Sequence, residues 1–224
     1  MHPDIADILS NAKTSIPTTL FPLAARPLVL ASPSPYRCEL LKRLQFPFNV
    51  VAPNVDETPL ASELSVALAE RLALAKAQAV ASIWPQAVVI GSDQVADLAG
   101  VAIGKPGNHI RATEQLRQMR GQTVVFHTAL AVVCRENGFA QISLASVQVR
   151  FRRLTDAEIE HYLLAEQPYD CAGSAKSEGL GITLLESIDS DDPTALIGLP
   201  LIRTCNLLRA AGIDVLAQAK KDVA

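Results

Sequence analysis

The run LVLASPSPYR, residues 28–37, joins a strand pattern directly to the start of a helix. Leu28 to Ala31 form a short, continuous apolar run, which is typical of a strand buried on both faces of a sheet. Ser34 followed by Pro35 is the pattern of a helix N-cap with proline in the first helical position. A buried strand that leads straight into a helix is a building unit of an α/β fold.

Patterns on either side of this run extend the same architecture. Further strands are predicted at 48–51, 87–90, 123–135, 139–152 and 182–185. Further helices are predicted after the caps Ser62, Asn108 and Thr155, and over 200–211. The tripeptide Glu136-Asn137-Gly138 between two long strand patterns indicates an antiparallel hairpin. We therefore expect the α/β class, with a mixed β-sheet flanked by helices.

Length and composition bound the class of protein. The 224 residues suit one domain, which we place at 27–214, with an N-terminal extension over 1–26 and a C-terminal tail over 215–224. Twenty Lys and Arg against 23 Asp and Glu argue against a surface that coats nucleic acid. No apolar stretch is long enough to span a bilayer, and the four scattered cysteines suit reduced thiols. We expect a soluble, cytoplasmic protein.

The turn that follows the first strand is a candidate anion site. A helix N-terminus offers unpaired N–H groups, Ser32 and Ser34 add hydroxyls, and Arg37 adds a planar guanidinium that suits phosphate. From these residues alone, an N-cap serine beside a solvated arginine is the favoured alternative.

Two carboxylate positions and two lysines add to this candidate site. Asp93 ends an apolar run, and acids at the carboxyl end of a strand in an α/β sheet are often functional. Glu57 follows Asp56 in a loop, where carboxylates can hold a divalent cation or simply be solvated. Lys76 lies near the apolar stripe of its helix and Lys105 follows a hairpin, so each is either a cleft cation or a surface residue.

Several blocks of the sequence, in order, resemble the Maf family of nucleoside triphosphate pyrophosphatases. They are LASPSPYRCELLKRL (30–44) with NVDETP (54–59), GSDQ (91–94), GKP (104–106), and CAGSAKSEGLG (171–181) with GLPL (198–201). The resemblance implies a single elongated Maf/ITPase-like domain with a central cleft, and a homodimer. It also implies a divalent cation, Mg²⁺ or Mn²⁺, and hydrolysis of a nucleoside triphosphate to the monophosphate and diphosphate.

The resemblance also assigns roles to individual residues. Asp93 corresponds to the catalytic aspartate, and the metal would lie near Glu57 and Asp93. The substrate-binding positions are Ser32, Ser34, Arg37, Glu57, Lys76 and Lys105.

Three further positions, Tyr36, Gln94 and Glu178, are associated with base choice in this family. Here they resemble the branch that acts on 7-methyl-GTP, although that branch usually carries tryptophan where this chain has Tyr36. The chemistry agrees, since an aromatic face attracts a cationic base and a carboxylate accepts hydrogen bonds from guanine. A pyrophosphatase acting on dTTP, UTP or another noncanonical nucleotide is the nearest alternative. A nucleotide-binding regulator of septum formation without turnover is the more distant one.

Overall fold

The computed structural model describes residues 26–218 as a seven-stranded mixed sheet flanked by helices, which confirms the predicted fold class. The strands are β1 (Leu28–Leu30), β2 (Asn49–Val50), β3 (Val88–Leu98), β4 (Val101–Ile103), β5 (Thr123–Cys134), β6 (Phe139–Phe151) and β7 (Leu185–Asp189). The helices are α1 (Pro35–Lys42), α2 (Ser65–Ile83), α3 (His109–Met119), α4 (Asp156–Glu166), α5 (Leu201–Ala210) and α6 (Val215–Gln218). The predicted extension lies outside the described residues except for Arg26, and so does the end of the predicted tail.

The sheet is parallel on one side and antiparallel on the other. Its strand order is β2-β1-β3-β5-β6-β7, and β4 pairs with β3 off this path. β1 runs parallel to both β2 and β3, whereas β3, β5, β6 and β7 pair antiparallel. Short turns join only the antiparallel pairs β3–β4 and β5–β6, and Gly138 in the predicted turn between β5 and β6 has a left-handed φ of 69°.

Alternation along the strands places apolar side chains on both faces. Val29 of β1 and Val89 of β3 pack under α2, while Leu28 and Ile90 face the layer formed by α1 and α5. A third cluster lies between α3, α4, the first half of β5 and the second half of β6. Each strand in the middle of the sheet is therefore covered on both sides, as its continuous apolar pattern indicates.

Strand β3 continues past the point where the sequence pattern suggested an end. The apolar run stops at Ile90, but the strand extends to Leu98 because antiparallel β5 pairs with it from Val89 to Asp97. Only its first three residues pair with β1. Asp93 was predicted to follow the end of a strand, but it lies inside β3. It lies beyond the carboxyl end of β1, where no strand pairs with that side of β3.

The helix starts and the last strand need two further corrections. Helix α2 begins at Ser65 and not after Ser62, which has a left-handed φ of 60° in the preceding turn. The predicted strand at 182–185 is instead a 3₁₀ turn over Leu180–Leu184 that leads into β7. The caps of α1, α3 and α4 are confirmed, including the Thr155–Glu158 capping box.

The buried face of α2 differs from the predicted one. Of the apolar stripe predicted from the sequence (Leu64, Leu68, Leu72, Ala75 and Ala79), Leu68 and Leu72 are buried but Leu64 is exposed, and Lys76, which the sequence placed near this stripe, is buried. The helix is rich in alanine, so its hydrophobic pattern distinguishes the two faces poorly.

Within residues 26–218, no helix is long and apolar enough to cross a membrane. All four cysteines, Cys38, Cys134, Cys171 and Cys205, are free thiols, which confirms the prediction from their spacing.

Gly91 sets the approach of α2 to β3, and its substitution is expected to be costly. A Cβ at this position would lie 2.2 Å from the Ala73 carbonyl oxygen and 2.7 Å from the Ala77 amide nitrogen. Because both atoms belong to the helix backbone, Gly91→Ala should lower the free energy of unfolding by more than the roughly 1–3 kcal/mol of ordinary overpacking. Urea denaturation measures this loss, with Gly104→Ala as the control, since nothing lies within 4 Å of a Cβ there. Equal stabilities for the two variants would contradict this account of the contact.

Candidate active site

A cleft of about 560 Å³ opens where β3 runs beyond β1. Its walls come from the β1–α1 turn, α2, β3, the segment after β4, and the segments 170–178 and 196–198. All ten residues singled out from the sequence line it: Ser32, Ser34, Tyr36, Arg37, Glu57, Lys76, Asp93, Gln94, Lys105 and Glu178. The structure brings these positions together, although they are spread over some 150 residues of chain.

The β1–α1 turn is held by its own hydroxyls and by the backbone of a distant loop. The Ser34 hydroxyl accepts from the Arg37 amide as the N-cap of α1, and the Ser32 hydroxyl accepts from the Ser34 amide at 3.2 Å. The Arg37 guanidinium donates to the Gly198 carbonyl at 2.8 Å and to the Ser32 hydroxyl at 3.3 Å. Of its five N–H donors, two are used in these bonds, so the fork is oriented and retains donors for an anion.

A buried lysine joins two carboxylates across the cleft wall. The Lys76 Nζ atom lies 2.6 Å from Asp93 Oδ1 and 2.8 Å from Glu57 Oε1. The side chains of Lys76 and Asp93 are only 6% and 10% exposed, whereas that of Glu57 is 54% exposed. Among the described residues, Asp93 Oδ2 makes no hydrogen bond, so this oxygen can accept one from a water molecule in the cleft.

The electrostatic field of the cleft favours the ionised form of Glu57. Partial burial raises the pKa of this carboxyl, but the hydrogen bond and charge of Lys76, helped by the charges of Lys105 and Arg37, bring it below its ordinary value. Burial lowers the pKa of Arg37, while the negative charges of Asp93 and Glu57 act in the opposite direction. The pKa values of Glu57 and Arg37 therefore depend on the charges of the neighbouring side chains in the cleft.

The carboxylates of the cleft supply some of the oxygen ligands that a hard divalent cation needs. Mg²⁺ is usually held by one or two carboxylates together with waters and substrate phosphates, rather than by an all-protein cage. Glu57 and Asp93 offer two such carboxylates on either side of one ammonium group. Over residues 26–218, no group of three or more His, Cys, Asp or Glu side chains converges on a common point. The residues present thus fit an ion whose remaining ligands come with the substrate.

A second wall of the cleft carries the positions associated with base choice. The Tyr36 hydroxyl donates to Asp170 Oδ2 at 3.2 Å, and the exposed Glu178 lines the same cavity. The segment around Glu178 is fixed against α4, because the Leu180 amide donates to Glu166 Oε2 at 3.0 Å and the Lys176 amide donates to the Tyr162 hydroxyl at 3.0 Å. An aromatic ring and two carboxylates therefore face the cavity from this side.

The Gln94 side chain is anchored to β5 and to the loop over residues 195–198. Its amide nitrogen lies within hydrogen-bond distance of Thr128 Oγ1 at 2.9 Å, of the Ala195 carbonyl at 3.0 Å and of the Leu196 carbonyl at 2.9 Å. The amide group thus holds the 195–198 loop against β3, and the Gln94 side-chain oxygen remains available as an acceptor.

Sequence analysis missed two contributors to the site. Ser92 is buried beside Asp93, and its hydroxyl lies within hydrogen-bond distance of both the Ala129 and the Gly198 carbonyls, so it helps to fix the carbonyl that orients Arg37. Its presence in the GSDQ block was the only signal. Asp170 lines the cleft and contacts Tyr36, a pairing across 134 residues that no local pattern could reveal.

The fold and the cleft together define an α/β protein with a site for a phosphate-bearing ligand, and comparison with known proteins identifies its family. The family model described as "Maf-like protein" matches residues 27–211. The chain therefore belongs to the Maf-like family, as the sequence blocks indicated.

Curated relatives are similar over most of their length. A protein of Polaromonas sp. (strain JS666) is 69% identical over 206 residues, 92% of this chain and 94% of the relative. One from Albidiferax ferrireducens is 67% identical over 85% of this chain and 96% of the relative, and one from Cupriavidus metallidurans is 57% identical over 83% and 93%. Each of these three relatives is named "7-methyl-GTP pyrophosphatase".

The ion pair between Lys76 and Asp93 generates a stability prediction. Lys76→Met leaves the buried Asp93 carboxylate without its partner, so the free energy of unfolding should fall by about 3 kcal/mol or more. Adding Asp93→Asn removes the unpaired charge and should restore at least half of the loss. Urea denaturation at pH 7 measures both effects.

The control for this pair is Lys42→Met. Lys42 pairs with Glu39 on the surface, where both side chains are more than half exposed, so its loss should leave the free energy of unfolding nearly unchanged. A double variant no more stable than Lys76→Met would show that the buried charge is not the source of the loss.

Proposed function

We propose that this protein is a hydrolase that cleaves the α–β phosphoanhydride of 7-methyl-GTP, releasing 7-methyl-GMP and diphosphate. One observation carries the proposal: Tyr36 and Glu178 line the same cleft as Asp93, Lys76 and Arg37. A base-recognising wall and a charged, phosphate-binding wall thus share one cavity. The names of the relatives, at 57–69% identity, support the same substrate.

The base wall suits a methylated guanine. Methylation at N7 gives the base a positive charge, and the face of the Tyr36 ring attracts such a cation. Glu178 is an acceptor-only group that can take hydrogen bonds from guanine N1–H and the exocyclic amine. Both side chains reach the cavity from separate elements, so they can grip a flat base from different directions.

The phosphate wall suits triphosphate cleavage. Arg37, Lys105 and the N-terminus of α1 would bind phosphate oxygens, and the hydroxyls of Ser32 and Ser34 line the same turn. Asp93 would accept a proton from a water molecule through Oδ2 as that water attacks the α-phosphorus. The bond from the α-phosphorus to the α–β bridging oxygen then breaks, and diphosphate leaves with that oxygen.

Lys76 lines the cleft, and its expected contact with the phosphates of the substrate stays a prediction. It is held between Asp93 and Glu57, so its first effect is to orient both carboxylates and to favour the ionised form of Glu57. We propose that Glu57 and Asp93 hold Mg²⁺ or Mn²⁺ together with the substrate. When bound, such an ion polarises the phosphoryl oxygens and neutralises the charge of the departing diphosphate.

The proposal includes the setting of the enzyme. We propose a catalytic unit over 27–214, a homodimer as implied by the family resemblance, and no nucleic-acid or membrane partner. A cytoplasmic location is supported by the four free thiols, which are usual in a reducing compartment.

A nucleotide panel tests the proposal most directly. Turnover of 7-methyl-GTP, GTP, dTTP, UTP and noncanonical triphosphates is measured with Mg²⁺, with Mn²⁺ and with a chelator, and the released anion is identified. We expect diphosphate as the product, the highest kcat/KM for 7-methyl-GTP, and loss of activity with the chelator. A preference for dTTP or UTP would overturn the substrate assignment, and binding of every nucleotide without turnover would leave a regulator as the interpretation.

Replacing the general base should abolish most of the turnover. Asp93→Asn keeps the shape of the side chain but cannot accept the proton, so kcat should fall by about 10²–10⁴-fold. Binding of an α,β-methylene substrate analogue, measured by calorimetry, should persist because the phosphate-binding cations remain. Asp97→Asn is the control, since Asp97 lies on the same strand and accepts from the Gly100 amide. Near-normal turnover in Asp93→Asn would remove this residue from the catalytic role.

Replacing the base-recognising residues should change selectivity rather than chemistry. Tyr36→Ala should lose stacking of about 1–3 kcal/mol and harm 7-methyl-GTP more than GTP. Glu178→Gln presents a donor to the guanine edge and should lower the kcat/KM ratio of 7-methyl-GTP to UTP by roughly ten-fold or more. Glu186→Gln on β7, which pairs with Arg150, is the matched control. An unchanged ratio in Glu178→Gln would exclude its contact with the base.

A further inference from the structure

Asp170 contacts Tyr36, the aromatic residue that the proposed function places against the base. Its Oδ2 accepts the Tyr36 hydroxyl at 3.2 Å, and its Oδ1 lies 3.5 Å from the Cys171 sulfur, within reach of the thiol proton. Burial raises the pKa of the Cys171 thiol to about 12, so this group stays a neutral donor at physiological pH. Burial, with Cys171 and Asp170 nearby, also raises the pKa of Tyr36, which keeps its hydroxyl protonated and able to donate. The carboxylate is therefore held in place by two donors while it remains exposed at the cleft.

The charges around the ring are arranged unevenly. The segment 170–178 contributes Asp170 and Glu178 to the lining of the cavity, and no cation of this segment is among the lining residues. Lys176 lies 5.8 Å from the centroid of the Tyr36 ring but is directed toward Glu166, 3.7 Å away. Lys176 does not line the cavity, so the two charged side chains that this segment contributes to the lining, Asp170 and Glu178, are both negative.

We propose that Asp170 is a further specificity-determining residue, which makes this base site selective for a positively charged base over its neutral counterpart. The inference rests on the proposed function, because that function places the base against Tyr36. It adds a residue outside the set of positions associated with base choice, and it assigns that residue a physical role.

Two effects of Asp170 act in the same direction. Its negative charge at the rim of the cavity attracts a cationic base directly, and a neutral base of the same shape gains little from it. Its hydrogen bond from the Tyr36 hydroxyl increases the electron density of the ring, which strengthens the attraction between the ring face and a cation. The second effect offsets the lower π-donor strength of tyrosine relative to tryptophan at this position. It also counteracts the positive charge of Lys176, whose Nζ atom lies 5.8 Å from the ring centroid.

Binding of product mononucleotides tests this inference without turnover. Isothermal titration calorimetry measures the Kd values of 7-methyl-GMP and GMP for the wild type, Asp170→Asn and Tyr36→Phe. Asn keeps the size of the side chain and an acceptor oxygen for Tyr36, but it removes the charge. Asp189→Asn on the exposed strand β7 makes the same charge change away from the cavity and serves as the control.

The expected result is a selective loss. In Asp170→Asn, the preference for 7-methyl-GMP over GMP should fall by roughly two- to five-fold, the range expected from cation–π and charge contacts at an exposed site. Tyr36→Phe should lose part of the same preference, and Asp189→Asn should lose none. An unchanged preference in Asp170→Asn, an equal loss for both mononucleotides, or no wild-type preference at all would overturn the inference. Failure of the proposed function would look different, since the binding preference would persist while 7-methyl-GTP is not hydrolysed.

Discussion

The contact between Lys76, Asp93 and Glu57 ties the cleft to the core of the fold. Lys76 belongs to α2, Asp93 to β3 and Glu57 to the loop that precedes α2, so one ammonium group joins three elements. A buried lysine and a buried aspartate are each unfavourable alone, and each is tolerated because the other is within hydrogen-bond distance. The pair forms only because α2 lies unusually close to β3 at Gly91, where no side chain separates helix from strand. Backbone packing thereby decides where the carboxylates of the cleft stand.

The topology of the sheet explains why a cleft exists at this position. β1 pairs with only three residues of β3, and β3 then continues alongside β5 for seven more residues, to Asp97. Beyond β1, this side of β3 is bordered by the β1–α1 turn and by the 195–198 loop. The side chains of Arg37, Ser92 and Gln94 hold the loop in place by hydrogen bonds to its backbone carbonyls. Polar side chains thus act first on the backbone and present their remaining donors and acceptors to the cavity. Such anchoring fixes the positions of the side chains that line the cavity.

Charge is distributed so that the two walls of the cleft suit different parts of one nucleotide. Arg37 and Lys105 lie with the turn and the segment after β4, whereas Asp170 and Glu178 lie with the aromatic ring of Tyr36. A triphosphate carries negative charge and a 7-methylguanine carries positive charge, so this arrangement matches both ends of the proposed substrate. A uniformly basic cleft would bind the phosphates equally well but would repel the base.

Local signals in the sequence determined most of the elements. Caps such as Thr155, the turn at Gly138 and the apolar runs of β1 and β5 are short-range features whose physics is complete within a few residues. The motif blocks likewise identified the family and ten residues that share one cleft. The tertiary structure alone decided the true length of β3, the buried face of the alanine-rich α2, and the pairing of Tyr36 with Asp170. Each of these depends on partners far along the chain: a strand extends only where a neighbour pairs with it, and a helix buries the face that the opposing backbone allows closest. Likewise, the contact between Asp170 and Tyr36 forms only when folding brings these distant residues together.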